Sequence, residues 1–201
     1  MALSKVEICN LALANIGIRR FISAITEDNP EAESCNLFYD HCRRMVLRSA
    51  EWGFATRRAT LAEVTGTPPD EWSYQYGWPA SCLKPLRIWD GLTVRRADQR
   101  IPFKLEYGTT EDERLLFCNE EDAVLIYTYD EENTDLFSPE FADALAWCLA
   151  WKIATPLSVD LRIWQMAQAM WISARQEAIA GTFSDDQEDP EPDSSIIAAR
   201  D

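Results

Sequence analysis

The chain has 201 residues, 47% of them hydrophobic, and carries 34 acids against 19 bases for a net charge of −15. That length supports a sizeable core in one or two domains, and the apolar share is globular rather than disordered. The acidity argues against wrapping nucleic acid, which needs Lys and Arg to neutralise phosphates, and no apolar run approaches membrane-spanning length.

The first stretch, to about residue 52, reads as two helices. Ser4 followed by Glu7 is a capping box, with Leu3 placed for a staple onto Ile8. Val6, Cys9, Leu13 and Ile16 then form one apolar stripe. Gly17 is suited to stop that helix with positive φ. Asn29 and Pro30 open a second helix with Glu31 and Glu33 at its positive end. Ala32, Cys35, Phe38, Cys42, Met45, Val46 and Ser49 keep its helical spacing, and Gly53 is expected to close it.

From 54 to about 130 the period changes. Short β-rich runs cover Phe54 to Val64, Leu83 to Trp89, Leu92 to Arg96, Ile101 to Leu105, Leu115 to Phe117 and Val124 to Tyr129. Turn signals separate them, with Asp90-Gly91 as a hairpin. Trp72, Tyr74, Tyr76 and Trp78 alternate with smaller or polar residues, so one face of an extended segment is aromatic and packs either inside or on a partner.

Helical spacing returns at Ser138-Pro139-Glu140, which supplies a cap, a rigid first residue and an acid. Phe141 to Thr155 forms the third helix, and Pro156 ends it. Ser158 is the expected cap of a fourth, whose stripe contains Leu161, Trp164, Ala167, Trp171 and Ala174, and Gly181 is its expected stop. After Gly181 come Phe183 and then Asp185, Asp186, Glu188, Asp189, Glu191 and Asp193, broken by Pro190 and Pro192. Ile196, Ile197, Ala198 and Ala199 follow as an apolar hook before Arg200. The acidic run buries too little apolar surface to offset its ordering entropy, so it is expected to be extended or disordered when alone. A hook on such an arm needs a receiving surface on another subunit.

The predicted fold is therefore mainly α with a β insert (α+β). A four-helix bundle is formed by residues 1–53 and 138–181. A small antiparallel β-domain at 54–137 sits between helices 2 and 3, and an acidic extended arm covers 182–201.

Chemistry is sparse. The six cysteines include no C-x-x-C pair and there is one histidine, His41, which speaks against a zinc site. Free Cys at apolar positions acts as a small hydrophobe. With no signal peptide before the first helix, folding in a reducing cytoplasm is expected. No phosphate-cradling loop or nucleophile elbow is present, and no cofactor is expected. Glu51, beside Trp52, is the candidate acid for a cell-wall glycoside hydrolase, because an indole can raise a carboxyl pKa; an ordinary surface Glu is the alternative. Arg43, Arg44 and Arg48 share the second helix, followed by Arg57 and Arg58, and Arg95, Arg96 and Arg100 sit at a hairpin. In an acidic chain they are candidates for contacts with carboxylates of a neighbouring copy; pairing within the subunit is the other possibility. The eight tryptophans serve either cores or subunit interfaces.

Taken in order, several segments resemble the tail tubular protein A family, the head-to-tail adaptors of short-tailed phages. They are Cys9-Asn10-Leu11-Ala12-Leu13 with Gly17, Glu51-Trp52-Gly53-Phe54-Ala55, Tyr76-Gly77-Trp78-Pro79-Ala80-Ser81-Cys82-Leu83-Lys84, and Phe141 to Trp147 running to Leu157. The terminal Ser194 to Arg200 is similar to the family's hook, with Ile where Trp often stands. The resemblance covers most of the chain and implies a structural adaptor without enzymatic turnover, assembled in the host cytoplasm into the virion. It implies a ring, typically dodecameric, between the portal protein and the tail nozzle or tail tube. DNA would pass through without specific binding, no membrane would be involved, and a C-terminal arm bearing Phe183, Ile196, Ile197 and Arg200 would reach the portal.

Overall fold

The computed structural model describes residues 3–89, 100–108, 114–157 and 159–185, with side chains to residue 182. Two elements precede the sheets, α1 (Lys5–Asn15) and α2 (Pro30–Leu47). The strands β1 (Thr56–Thr60), β2 (Tyr74–Gly77), β3 (Cys82–Trp89), β4 (Phe103–Tyr107), β5 (Arg114–Cys118) and β6 (Val124–Tyr129) follow. The helices α3 (Pro139–Ile153) and α4 (Leu161–Asp185) complete the described chain.

Local chemistry sets the helix ends. Ser4 accepts from the Glu7 N–H, and its own N–H donates to Glu7 Oε2 at 2.7 Å, completing the capping box. Gly17 adopts φ +80°, while Gly17 N–H donates to Ala14 O and Ile18 N–H to Leu13 O. This is a Schellman stop, whose left-handed residue is open to Gly at no steric cost. Asn29 caps α2 through a 2.8 Å bond from Ala32 N–H, and Ser138 caps α3 through Phe141 N–H.

Other ends differ from the sequence expectation. Gly53 does not close α2, which stops at Leu47 with Arg48 as its cap; Gly53 instead begins a 3-10 turn, Gly53–Ala55. Ser158 lies outside the described residues, and Asp160 accepts from Arg162 N–H at the start of α4. Gly181 does not stop α4 either. The helix continues to Asp185, because a glycine inside a helix costs only about 1 kcal/mol relative to Ala and here lies beside the Glu140 side chain. Residues 182–185, expected to begin the extended arm, are therefore helical, and residues 186–201 lie outside the described residues.

The expected four-helix bundle is not formed. A bundle needs four amphipathic stripes turned toward a shared axis; here a single helix occupies the axis. Phe141, Ala142, Ala144, Leu145, Ala146, Cys148, Leu149, Ala150 and Ile153 are all buried, so α3 is apolar round nearly its whole circumference, as a central helix must be. It packs against α1, α2 and α4, whereas α1 and α2 barely touch each other. Its small residues let the outer helices approach closely. The result is one core helix with three helices laid on it, and a single hydrophobic cluster spans all four.

The inserted β region is two three-stranded antiparallel sheets rather than one, ordered β1-β6-β3 and β2-β5-β4. They share a second core built on Leu116, Cys118, Leu125, Ile88 and Tyr76. The long run expected from Phe54 to Val64 is split: β1 pairs with β6, then Glu63 bridges to Tyr76 in the other sheet. Pro85 is accommodated because β3 is an edge strand, irregular in register between Pro85 and Arg87. The Tyr74–Gly77 strand carries the aromatic alternation inward: Tyr76 is buried and its hydroxyl donates to Glu120 O at 2.8 Å. The Asp90-Gly91 hairpin, the Leu92 to Arg96 run, and Arg95 and Arg96 lie outside the described residues.

Two outcomes follow for stability. Leu145→Ala opens a cavity in the central helix and should cost about 2–5 kcal/mol in urea unfolding. Ser4 backbone and hydroxyl hydrogen bonds hold the Glu7 carboxyl below its ordinary range. A carboxyl depressed on folding stabilises above its unfolded pKa and loses that contribution as pH falls through its folded value. Glu7→Gln should therefore lower the urea midpoint at pH 7, and the difference from the unsubstituted chain should shrink as pH falls below the ordinary Glu value of about 4.3 and vanish below the depressed folded value.

Candidate functional site

The chain leaves the helical body at Trp52–Phe54 and returns at Phe137–Phe141, and these side chains meet. Phe141 has ring centroids of Trp52 and Phe54 at 5.0 Å in edge-on contact, and Phe137 at 4.6 Å. The entry and exit of the β region are thus clamped by one aromatic cluster, a contact type that adds about 0.5–1.5 kcal/mol per pair beyond burial. Trp52 is buried and its Nε1–H donates to Val46 O at 3.0 Å.

Beside this cluster lies the ionic joint. Arg43 of α2 is 1% exposed. Its Nη1 donates to Asp130 Oδ1 at 2.6 Å and to the Glu131 carbonyl at 2.5 Å. Arg44 Nε donates to the other Asp130 oxygen at 2.9 Å, and Arg57 Nη2 to Glu131 Oε2 at 2.9 Å. Arg57 also reaches the Phe54 carbonyl at 2.8 Å and lies over the Tyr129 ring. Three of the arginines read as candidates for a neighbouring copy are therefore paired with the segment 130–131 of their own chain. The physical reason is that β6 delivers this acidic return segment directly onto α2. Arg43, being buried, is withdrawn from any neighbour; Arg44 and Arg57 keep part of their surface open.

The remaining candidates scatter. Arg48 is exposed and donates to the Leu83 carbonyl. Arg58 lies over the Trp89 ring at 5.2 Å, and Arg100 is exposed. Glu51 forms an ion pair with Arg87 at 2.5 Å, while the indole beside it in sequence points into the core. His41 is exposed on α2. Phe183 falls in the last turn of α4; Ile196, Ile197 and Arg200 lie outside the described residues. Among the described residues, no group of three or more His, Cys, Asp and Glu is placed to hold a metal ion, and no helix is long and apolar enough to cross a membrane.

Two surfaces that the sequence reading did not single out stand apart. The first is α4. Ala167, Trp171, Ala174 and Ala178 turn inward, and the helix packs chiefly on α3. Its outer side exposes Met166 and Met170, one turn apart, along one flank, and Leu161 and Ile172 along the other. From Ile163 to Ala174 no residue is charged, in a chain where 26% are. That gap was available as a signal, but an apolar stripe on one side of a helix satisfies the core and hides a second stripe behind it. The second surface is a groove of about 270 Å³ between the two sheets, with Leu83 and Pro85 of β3 on one side and Leu105, Tyr107 and Arg114 on the other.

Among the buried thiols, a hydrogen bond with the neighbouring Cys35 and burial push Cys9 up while the same hydrogen bond pulls Cys35 down, Cys148 and burial push Cys42 up, and burial takes Cys82 up to about 12. The raised thiols are protonated packing groups, not nucleophiles. No protein-family model matches the chain, and comparison with curated proteins gives no match.

The joint generates a direct expectation. Arg43→Met leaves the Glu131 carbonyl without its donor and Asp130 with Arg44 alone, and loss of a hydrogen bond to a charged group costs about 1.5–3 kcal/mol. Urea unfolding should show that loss, and Arg43→Met with Asp130→Asn together should cost less than the two single changes summed.

Proposed function

We propose that the protein is a structural adaptor that works as an oligomer: a head-to-tail connector ring of a tailed phage, joining a portal protein to a tail nozzle or tail tube around the DNA channel. The observation that carries the reading is the outer face of α4. Interface cores are depleted of charge and enriched in Met and aromatic residues, and a helix of this length with exposed Met166, Met170, Ile172 and Leu161 is an unusual expense for an otherwise acidic surface. In a ring the contacts are heterologous, so the α4 face of one copy would meet a different surface on the next, and closure would set the copy number.

The charge supports the same reading. At −15 the assembled subunits would repel a DNA backbone, so that it slides through rather than binds. The acidic segment beyond Asp185 with its Ile196-Ile197 hook has the composition of an extended peptide that orders on a partner, here the portal.

Mass photometry of the full chain, alone and with portal protein, tests this. A closed oligomer is expected, formed alone or on the portal. Met170→Glu should reduce it to monomer while leaving the circular dichroism spectrum unchanged, and a chain ending at Asp185 should keep the oligomer but lose the portal. A full chain that stays monomeric in both conditions would refute the reading.

A further inference from the structure

The groove between the sheets has a lining unlike the rest of the surface. Its floor is apolar: Trp78, Leu83, Pro85, Leu105 and Leu115. Leu105 is 41% exposed and Tyr107 71%, large values for side chains of this type. Two cations and one acid line it as well: Arg48, Arg114 and Glu106, whose carboxylate is already paired with Lys104 Nζ at 2.6 Å. Arg114 lies over the rings of Trp78 and Tyr107, at 6.0 and 5.8 Å, and so is held extended along the groove. Arg48 reaches it from the end of α2 and is fixed by the Leu83 carbonyl. At about 270 Å³ the groove falls just below the range of pockets for drug-sized ligands, roughly 300–1,000 Å³. It suits one or two aliphatic side chains of a peptide whose flanks are acidic.

We propose that this groove holds the chain's own C-terminal segment, with Ile196 and Ile197 on the apolar floor and the acids of residues 186–193 passing Arg48 and Arg114. Three observations select this occupant. Its composition is complementary: between Asp185 and Asp193 the sequence contains acids and no base, and the two isoleucines follow after Ser194 and Ser195. Its point of departure is right. Gly181 lies beside Glu140 at the start of α3, so α4 ends at the same end of the helical body as the joint to the sheets, where Arg48 also sits. Its reach is sufficient, since the stretch from Asp185 to Ile196 can extend on the order of 40 Å. Attachment to the same chain gives the segment an effective concentration in the millimolar range, so weak contacts fill the groove in dilute solution.

The contact would keep the hook covered in the free chain and leave it to be drawn out by a better partner. It does not require the ring: it is a property of the isolated chain.

The test is photo-crosslinking of the full chain carrying Ile197→p-benzoylphenylalanine, at dilution, with the adduct mapped by peptide mass. The expected product has monomer mass and joins residue 197 to Trp78, Leu105 or Tyr107. Charge reversal by Arg48→Glu with Arg114→Glu should lower its yield about fivefold, the worth of two exposed ion pairs. In the unsubstituted arginine background, raising the salt to 1 M should lower the yield as well, through screening of those pairs, which serves if the reversed chain folds poorly. Adducts elsewhere on the molecule, adducts of dimer mass only, or a yield indifferent to both charge and salt would overturn the proposal. None of these outcomes bears on ring formation, which mass photometry reads separately.

Discussion

A buried guanidinium sets the layout of this molecule. Arg43 sits on the inner side of α2 and is removed from water, and a charge in that position is tolerated only if it is paired and hydrogen-bonded. The partners are Asp130 and the Glu131 carbonyl, residues that follow the last strand. The requirement therefore fixes where the β region returns to the helices. With Arg44 and Arg57 pulling on the same segment and the Trp52–Phe54–Phe141 cluster next to it, entry and exit are held together. Lesser contacts, Arg48 on the Leu83 carbonyl and Glu51 on Arg87, add to that joint.

The rest of the architecture follows from this closure. Because the β region is tied at both ends to α2 and the start of α3, α3 runs directly from the joint through the middle of the helical body. Its full apolar circumference then recruits α1, α2 and α4 onto separate sides of it. The last helix in the chain, α4, packs chiefly on α3, and its outer side leaves Leu161, Met166, Met170 and Ile172 exposed. The groove between the sheets includes Arg48, the cap of α2, among its lining residues, and Gly181 of α4 lies beside Glu140 at the start of α3.

Much of this was legible in the residues. The caps at Ser4, Asn29 and Ser138 and the stop at Gly17 are where sequence placed them, because a cap is a local bargain between a side chain and backbone groups three residues away. The strand Val124–Tyr129 is likewise bounded as expected, by turn residues on both sides. The misreadings share a cause. Gly53 and Gly181 looked like stops, but a glycine ends a helix only where tertiary packing lets the chain turn. The arginines of α2 left two readings open, a neighbouring copy or their own subunit, since pairing over some ninety residues of sequence leaves no local trace; Arg43 and Arg44 pair within the chain. Four amphipathic segments looked like a bundle, although α3 was apolar on every side. The candidate site shares this mixed record: the acidic segment and its hook were plain in the sequence, whereas the α4 face and the groove were not.

What the sequence determined by itself is what is decided within a turn or two of chain: the starts of α1, α2 and α3, the strand periods, and an acidic segment followed by two isoleucines. What only the tertiary structure decided is which charges neutralise each other, which helix takes the axis, and which apolar side chains are left outside. Those are outcomes of competition among distant groups for burial, and such competition has no representative in any single stretch of residues.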